Sequence, residues 1–415
     1  MNLPIAIALP TPFLIGPVNS WLLPGEEPAL VDAGPRTDAA WEALIAGLAA
    51  QDLTPRDLRH IFITHAHVDH YGNARRLAEA APDATLYAPD IAHARPMLLD
   101  LEEEWERQYT FTRRALLASG LPPHLAELSR SRMADMRSYG DAVPVTRWLQ
   151  SGEYLTLGDG TVWQVVALPG HSMTQVGLHQ TEHNLFIAAD HLLPHVSSNA
   201  LLEPPTPGEQ RRPRALPRYV EMLRWTAGLP IQQVFPGHGE PFTDQRPLIM
   251  RRLQGIEERA ALIHTALLER PRSVLALVEH LFPKLRPEEI FLAISEIVGH
   301  LDVLEARQQV AFRGETVREY FVLLQEEEGK TIMATIDESF RQDLVQHPKQ
   351  SYRVIVRTAS EAALVAEHCA HQGMTIHHQY RLLPGLALTA TGEALLALAA
   401  HPAVTHIEPD QMMSV

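Results

Sequence analysis

The chain has 415 residues, 46% of them hydrophobic, a formal charge of −15 and a pI near 5.8. That length allows two or three domains with sizeable cores. The acidic balance argues against a general nucleic-acid partner, without ruling out a local basic patch. A single cysteine, Cys369, excludes an intrachain disulfide framework and a thiolate metal cluster, so any metal must be held by His, Asp and Glu.

Residues 5–9, 13–23 and 29–32 read as short strands between Pro and Gly turns. The apolar start lacks a basic leader region and a small-residue cleavage site, and Pro4, Pro10 and Pro12 interrupt it. No run approaches 18 apolar residues, so no membrane span is predicted and a cytoplasmic location is the expectation. Residues 37–51 have helical spacing through Trp41, Leu44, Ile45 and Leu48. The apolar run 58–64 predicts a buried strand, 73–81 a helix and 85–87 another strand.

Between that strand and helix lies His65-Ala66-His67-Val68-Asp69-His70. A strand end that turns into a helix throws consecutive side chains into one concave space. Imidazole nitrogen and carboxylate oxygen are donors that zinc and similar divalent ions accept. The bland alternative, a His-rich surface turn, loses weight because three further candidates occupy strand ends downstream: His171, Asp190 and His238. Two of these sit in Pro-Gly-His turns, where Gly lets the backbone bend sharply.

Residues 91–150 are rich in Leu, Glu, Arg and Ala and read as a helical insertion packing over the sheet core. Its Trp105, Tyr109 and Phe111 suit either an ordinary helical layer or the wall of an apolar substrate pocket. Strands resume at 153–157, 162–168, 175–179, 185–189 and 231–235. A Pro- and Arg-rich loop covers 204–217, and 219–228 reads as a helix. From about 247 three helices and a small hairpin follow, the outline of a winged helix over 246–325. Residues 326–350 read as a linker. The order βαββαβ in 351–415 fits a ferredoxin-like module.

The ligand set His-x-His-x-Asp-His followed by His, Asp and His resembles the metallo-β-lactamase-fold superfamily over residues 1–245. The resemblance implies an α/β fold, an αββα sandwich with the site at one edge of its two sheets. It also implies two divalent metal ions, zinc before iron or manganese. By carry-over, His65, His67 and His171 would hold the first ion. Asp69, His70 and His238 would hold the second, and Asp190 would bridge. Asp69 could instead orient the nucleophile. Asp32 is expected to hydrogen-bond the ligand loop, and His191 could donate a proton to the leaving group, although a structural role for it competes.

Residues 218–325 resemble the winged-helix tail of the mitochondrial endoribonuclease group and its bacterial relatives. The third helix carries Glu288, Glu289, Glu296 and Asp302, so it would repel phosphate and read DNA poorly. Residues 352–415 resemble the propeptide-like inhibitor domains of subtilisins, and a dimerisation module, giving a homodimer, fits that pattern as well.

Two ions lower the pKa of a shared water, so the implied chemistry is hydrolysis. The first expectation is an acyl thioester or ester as a small-molecule substrate, with Trp105 and Tyr109 near its acyl chain. The alternative is an endoribonuclease or phosphodiesterase acting on single-stranded RNA, with Arg211, Arg212, Arg214 and Arg218 holding phosphate. A scaffold without catalysis is the third, and the complete ligand set weighs against it.

Overall fold

The computed structural model describes residues 2–92, 94–323, 334–358, 362–380, 385–399, 401 and 403–410. The chain forms two compact units, Met1–Leu324 and Gln325–Val415.

In the first unit, strands β1 (Ile5–Leu9), β2 (Val18–Leu23), β3 (Ala29–Val31), β4 (His60–Phe62), β5 (Thr85–Pro89) and β6 (Arg147–Leu149) form one six-stranded sheet in that order. A second six-stranded sheet runs in the order β12 (Phe242–Thr243), β11 (Gln233–Pro236), β10 (Leu185–Ala189), β9 (Val176–Gln180), β8 (Thr161–Ala167) and β7 (Tyr154–Leu157). Alternation along each strand explains the layering. In β2 and β3, Trp21, Leu23, Ala29 and Val31 face the other sheet, where they meet Trp163, Val165, Leu178, Ile187 and Phe235. Leu22 and Leu30 face outward, against Ala40, Leu44 and Leu48 of helix α1 (Asp38–Ala49). On the far side, Val166, Phe186 and Ala188 meet Leu216, Tyr219 and Leu223 of a helix spanning Ala215–Ala227. The result is the expected αββα sandwich. One expected strand is shorter: Gly16 has φ +91° and residues 13–16 turn, so pairing begins only at Val18.

Helix α2 (Val68–Tyr71) and helix α3 (Ala74–Ala80) follow β4. The 91–150 segment supplies α4 (Ala94–Leu98), α5 (Glu102–Ala118) and α6 (Pro123–Arg137). The helix of Ala215–Ala227 is α7, and it is followed by α8 (Gln245–Glu269), α9 (Val274–Leu281) and α10 (Ile290–Ala306). Of the three helices of the 91–150 segment, α4 packs on the first sheet, through Ala94 and Leu98. The expected cover over the sheets is different for the other two helices. Leu116, Leu121 and Ala126 of the α5–α6 pair bury against Ile263, Leu267, Leu277 and Ile297 of α8, α9 and α10. Strands β13 (Arg272–Ser273), β14 (Val310–Arg313) and β15 (Glu319–Val322) make a three-stranded sheet beside those helices.

The second unit is a five-stranded sheet in the order β16 (Thr335–Ile336), β20 (Val404–Pro409), β17 (Ser351–Thr358), β19 (Gly385–Thr391) and β18 (Thr375–Tyr380). Helices α11 (Glu338–Gln346), α12 (Ala362–His371) and α13 (Gly392–Leu398) belong to it. Residues 334–350, expected as linker, thus include β16, which pairs in parallel with β20, and α11, whose Leu344 enters the core with Val354, Val356 and Ile407. The charged stretch 326–330 lies outside the described residues. Among the described residues, no helix is long and apolar enough to cross a membrane.

Candidate metal centre

Strands β3 and β4 run parallel, as do β10 and β11, and β8 is antiparallel to β9, which is antiparallel to β10. The C-terminal ends of β3 and β4 therefore lie side by side, and so do those of β8, β10 and β11. From the first sheet these ends carry Asp32 and the 65–70 motif. From the second they carry His171, Asp190 and His238. Two backbone bonds tie the sheets together at this edge: Val176 N–H donates to Thr64 O at 3.0 Å and Asn19 N–H to Gly237 O at 2.7 Å.

All seven predicted ligands converge. His67 Nδ1 lies 3.0 Å from His65 Nε2 and 3.1 Å from His171 Nε2. Asp190 lies 3.4 Å from both His70 Nε2 and His171 Nε2, and 3.6 Å from His238 Nε2. Asp69 lies 3.4 Å from His238 Nε2 and 3.9 Å from His70 Nε2. Three overlapping triads have donor atoms within 4.8 Å of one another: His65–His67–His171, His65–His70–Asp190 and Asp69–His70–His238.

The opposite ring nitrogens are pinned, which fixes what each imidazole presents. His171 Nδ1 donates to Asn199 O at 3.0 Å and His238 Nδ1 to Pro17 O at 2.8 Å. A carbonyl only accepts, so in both rings Nε2 faces the cluster. His70 Nδ1 lies 2.7 Å from Asp32 Oδ2. Asp32 also accepts the Thr64 N–H and hydroxyl, each at 2.8 Å, and the Thr64 oxygen lies 2.9 Å from His65 Nδ1. One carboxylate thus contacts His70 directly and His65 through Thr64.

The donor set fits divalent ions. His70 Nε2, His238 Nε2 and Asp190 Oδ1 are buried and have no hydrogen-bond partner among the described residues. Orphaned buried donors and acceptors are costly unless something else meets them. Electrostatics sorts the rings in the same sense. Burial holds His65 well below the ordinary imidazole range, His67 at about 3 and His171 below its usual value. Those three are neutral and ready to ligate. Burial also disfavours charge on His70 and His238, but Asp190 and the other carboxylates outweigh it and raise both. The carboxylates thus favour positive charge at these two rings, the place a cation would supply it.

Residues outside the motifs complete the support. Asn19 Nδ2 donates to Pro236 O at 3.0 Å and to Gly239 O at 2.7 Å, and Trp21 Nε1 donates to Pro236 O at 3.0 Å. They hold the turn that carries His238. Thr174 Oγ1 accepts the Ala66 N–H at 3.1 Å. No local pattern around Asn19, Trp21 or Thr174 announces this. Their roles arise from contacts across the two sheets.

Other predicted residues stand elsewhere. His191 is fully buried, with Nε2 2.8 Å from Thr226 Oγ1 on α7, and its backbone carbonyl accepts from the Tyr219 hydroxyl. Its ring is a link to that helix. Trp105 Nε1 donates to Asp100 at 2.7 Å, and the Tyr109 hydroxyl donates to Glu127 at 2.8 Å beneath the Arg130 guanidinium. Both rings are spent within the helical insertion, and no contact joins them to the cluster among the described residues. Arg211 is exposed. Arg212 makes a two-pronged pair with Asp302 at 2.6 and 2.7 Å, Arg214 pairs with Glu305 at 2.9 Å, and Arg218 with Glu221 at 2.8 Å. The acidic residues of α10 therefore answer the arginine loop. Arg212→Ala would strand the buried Asp302, and we expect a loss of about 3 kcal/mol in urea unfolding. Arg211→Ala is expected to change stability by less than about 0.5 kcal/mol.

Glu203 was not anticipated. Its carboxylate accepts the Met173 N–H at 3.0 Å, two residues past His171, and burial pushes its pKa up to about 7. A raised folded-state value favours the protonated form. Stability is then full below the ordinary value of 4.5 and falls as pH rises through about 7. In the metal-stripped protein, Glu203→Gln is expected to flatten that slope and gain up to about 2 kcal/mol at pH 8. Urea melts across this pH window provide the check, and an unaltered slope would refute the assignment.

Residues 14–238 match the metallo-beta-lactamase superfamily. The probable metallo-hydrolase YqjP of Bacillus subtilis (strain 168) is 32% identical over 324 residues, which is 75% of this chain and 96% of that protein. Among solved structures, the metallo-beta-lactamase family protein TTHA1429 from Thermus thermophilus is 27% identical with a TM-score of 0.64, covering 77% of this chain and 98% of its own. A beta-lactamase domain protein from Burkholderia ambifaria shares the fold at 24% identity and a TM-score of 0.64, over 77% of this chain and 92% of its own.

Proposed function

This chain belongs to the metallo-beta-lactamase superfamily, and from that premise we propose that it is a dinuclear metal-dependent hydrolase of acyl thioesters or related esters. His65, His67 and His171 would hold one ion and Asp69, His70 and His238 the other, with the Asp190 carboxylate within reach of both sets. When bound, two such ions supply an activated water and an electrophile for the carbonyl oxygen. The chain's own residues do the rest. Asp32 and Thr64 orient His70 and His65. Asp69, at 14% side-chain exposure the more open of the two carboxylates, is the one that could instead orient the attacking water.

The observation that favours a carbonyl over a phosphodiester is the fate of the arginine run. Side-chain cations strengthen phosphate binding when they are free to reach it, and Arg212, Arg214 and Arg218 are each matched by a carboxylate, leaving Arg211 as the exposed arginine of the run. The test is a panel of acyl-CoA, acyl-glutathione and lactone substrates run beside single-stranded RNA at low salt, with metal content measured. Thioester or ester turnover that is lost on chelation and restored by zinc is the expected result. RNA cleavage without ester turnover would overturn it.

A further inference from the structure

Residues 199–203 run past the His171 turn, and alternate residues of this segment grip it. Asn199 O accepts from His171 Nδ1 at 3.0 Å, Leu201 N–H donates to His171 O at 3.3 Å, and the Glu203 carboxylate accepts the Met173 N–H at 3.0 Å. The spacing is that of an extended chain, which presents every second residue to the same side. Helices fasten the same segment from elsewhere. Leu202 N–H donates to Ser295 Oγ at 3.3 Å and Asn199 Nδ2 to Leu292 O at 3.1 Å, both on α10. Arg107 on α5 donates to Pro205 O, while its guanidinium holds the buried Glu104 at 2.6 and 2.8 Å. The segment is thus a strap fixed to α10 and α5, with the His171 turn bonded along one edge.

Two of the three grips are backbone groups that most residues would supply. The third needs the Glu203 side chain. The turn that Glu203 holds carries more than His171. Ser172 Oγ accepts the Thr174 N–H at 3.1 Å and lies 2.8 Å from Thr174 Oγ1. Thr174 Oγ1 in turn accepts the N–H of Ala66, the residue between His65 and His67, at 3.1 Å. One chain of hydrogen bonds therefore runs from Glu203 to the backbone of every residue set that forms the triad His65–His67–His171.

We propose that Glu203 is a positioning residue for that triad, the point at which the strap sets where its three imidazoles converge. The proposal rests on the metal-centre reading above and is independent of whether the substrate is an ester. Glu203 acts as a hydrogen-bond acceptor, so an amide of the same shape serves in its place. Partners that orient the ligands of a metal govern its affinity by about 10–100-fold although they never touch it.

The experiment compares wild type with Glu203→Ala, Glu203→Gln and Thr174→Val. Amide hydrogen exchange is followed on the metal-free protein in peptides covering 171–176 and 64–68. Zinc affinity is measured by competition with a chelator on the folded protein. Glu203→Ala is expected to speed exchange at 171–176 about five- to tenfold, the loss of one hydrogen bond, and to extend the effect to 64–68. It should weaken one of the two zinc equivalents by about 10–100-fold. Glu203→Gln should stay close to wild type in both readouts, and Thr174→Val should loosen 64–68 while leaving Met173 protected. Exchange and zinc affinity unchanged in Glu203→Ala would overturn the assignment. So would faster exchange with both zinc affinities intact, which marks a purely structural residue, or a Glu203→Gln variant as impaired as Glu203→Ala. A wild type that takes up no zinc would overturn the metal-centre reading instead, and the exchange pattern would then decide alone whether Glu203 anchors the turn.

Discussion

Asp190→Asn is expected to lower hydrolytic activity by about 10³-fold, some 4 kcal/mol of transition-state stabilisation, and to leave the protein folded with less than two equivalents of metal. The substitution keeps the shape and removes the charge. Asp190 faces His70, His171 and His238 at 3.4, 3.4 and 3.6 Å, so its carboxylate reaches both halves of the cluster. Burial alone would raise its pKa, but His70, His238 and His171 outweigh burial and hold it well below the usual carboxylate range. The neighbouring rings thus favour its carboxylate form. A neutral amide cannot balance the charge of neighbouring cations, and affinity at both positions should fall. Elemental analysis and kinetics together provide the check. A variant with full metal content and near-normal rate would remove Asp190 from the bridging position.

Gly237→Ala is the more discriminating change, since it adds one methyl group and replaces no ligand. A Cβ at Gly237 would overlap Asp190 Oδ1 and lie 3.0 Å from His70 Cε1. The φ of Gly237 itself is not in the left-handed region, and its N–H donates to Ala189 O while its carbonyl accepts from Asn19 N–H, although the Ala189 carbonyl carbon would lie 3.1 Å from the new Cβ and must give slightly. The carboxylate is the end of a side chain and can swing away, so the fold should survive while the cluster does not. We expect a loss of activity of about 10²-fold, comparable to disturbing an outer-sphere partner of a metal site, with unfolding shifted by less than about 1 kcal/mol. Equal losses in stability and activity would instead mark Gly237 as a packing glycine. Asp32→Asn offers a parallel case, since Asp32 organises Thr64 and His70 through one carboxylate.

The sequence by itself determined the sandwich and named the seven His and Asp side chains that converge at its edge. Alternating apolar strands such as β2 and β3 can bury both faces only between another sheet and a helix, and their period is visible without coordinates. The 65–70 motif, the two Pro-Gly-His turns and Asp190 follow strands directly, so parallel strand ends were enough to bring them to one edge. Asp32 was also legible, as the acid closing a strand beside that motif.

Only the tertiary structure decided which other residues serve the site. Asn19, Trp21 and Thr174 act across sheets, over separations that leave no local periodicity. His191 adjoins a ligand in sequence, yet Ala189 takes a positive φ of 44° at the strand end and the next side chains diverge: Asp190 faces the cluster while His191 meets Thr226 on α7. Trp105 and Tyr109 carried an aromatic signal that suited a pocket, but rings are equally good at joining two helices, and only the placement of α5 beside α6 settles which. The arginine loop read as a basic patch because charge is counted along a chain, whereas Asp302 and Glu305 cancel it from about 90 residues away. Ligand chemistry is local and is written in residue types. Pairing, burial and cavity shape are sums over distant contacts, and those exist only once the chain has packed.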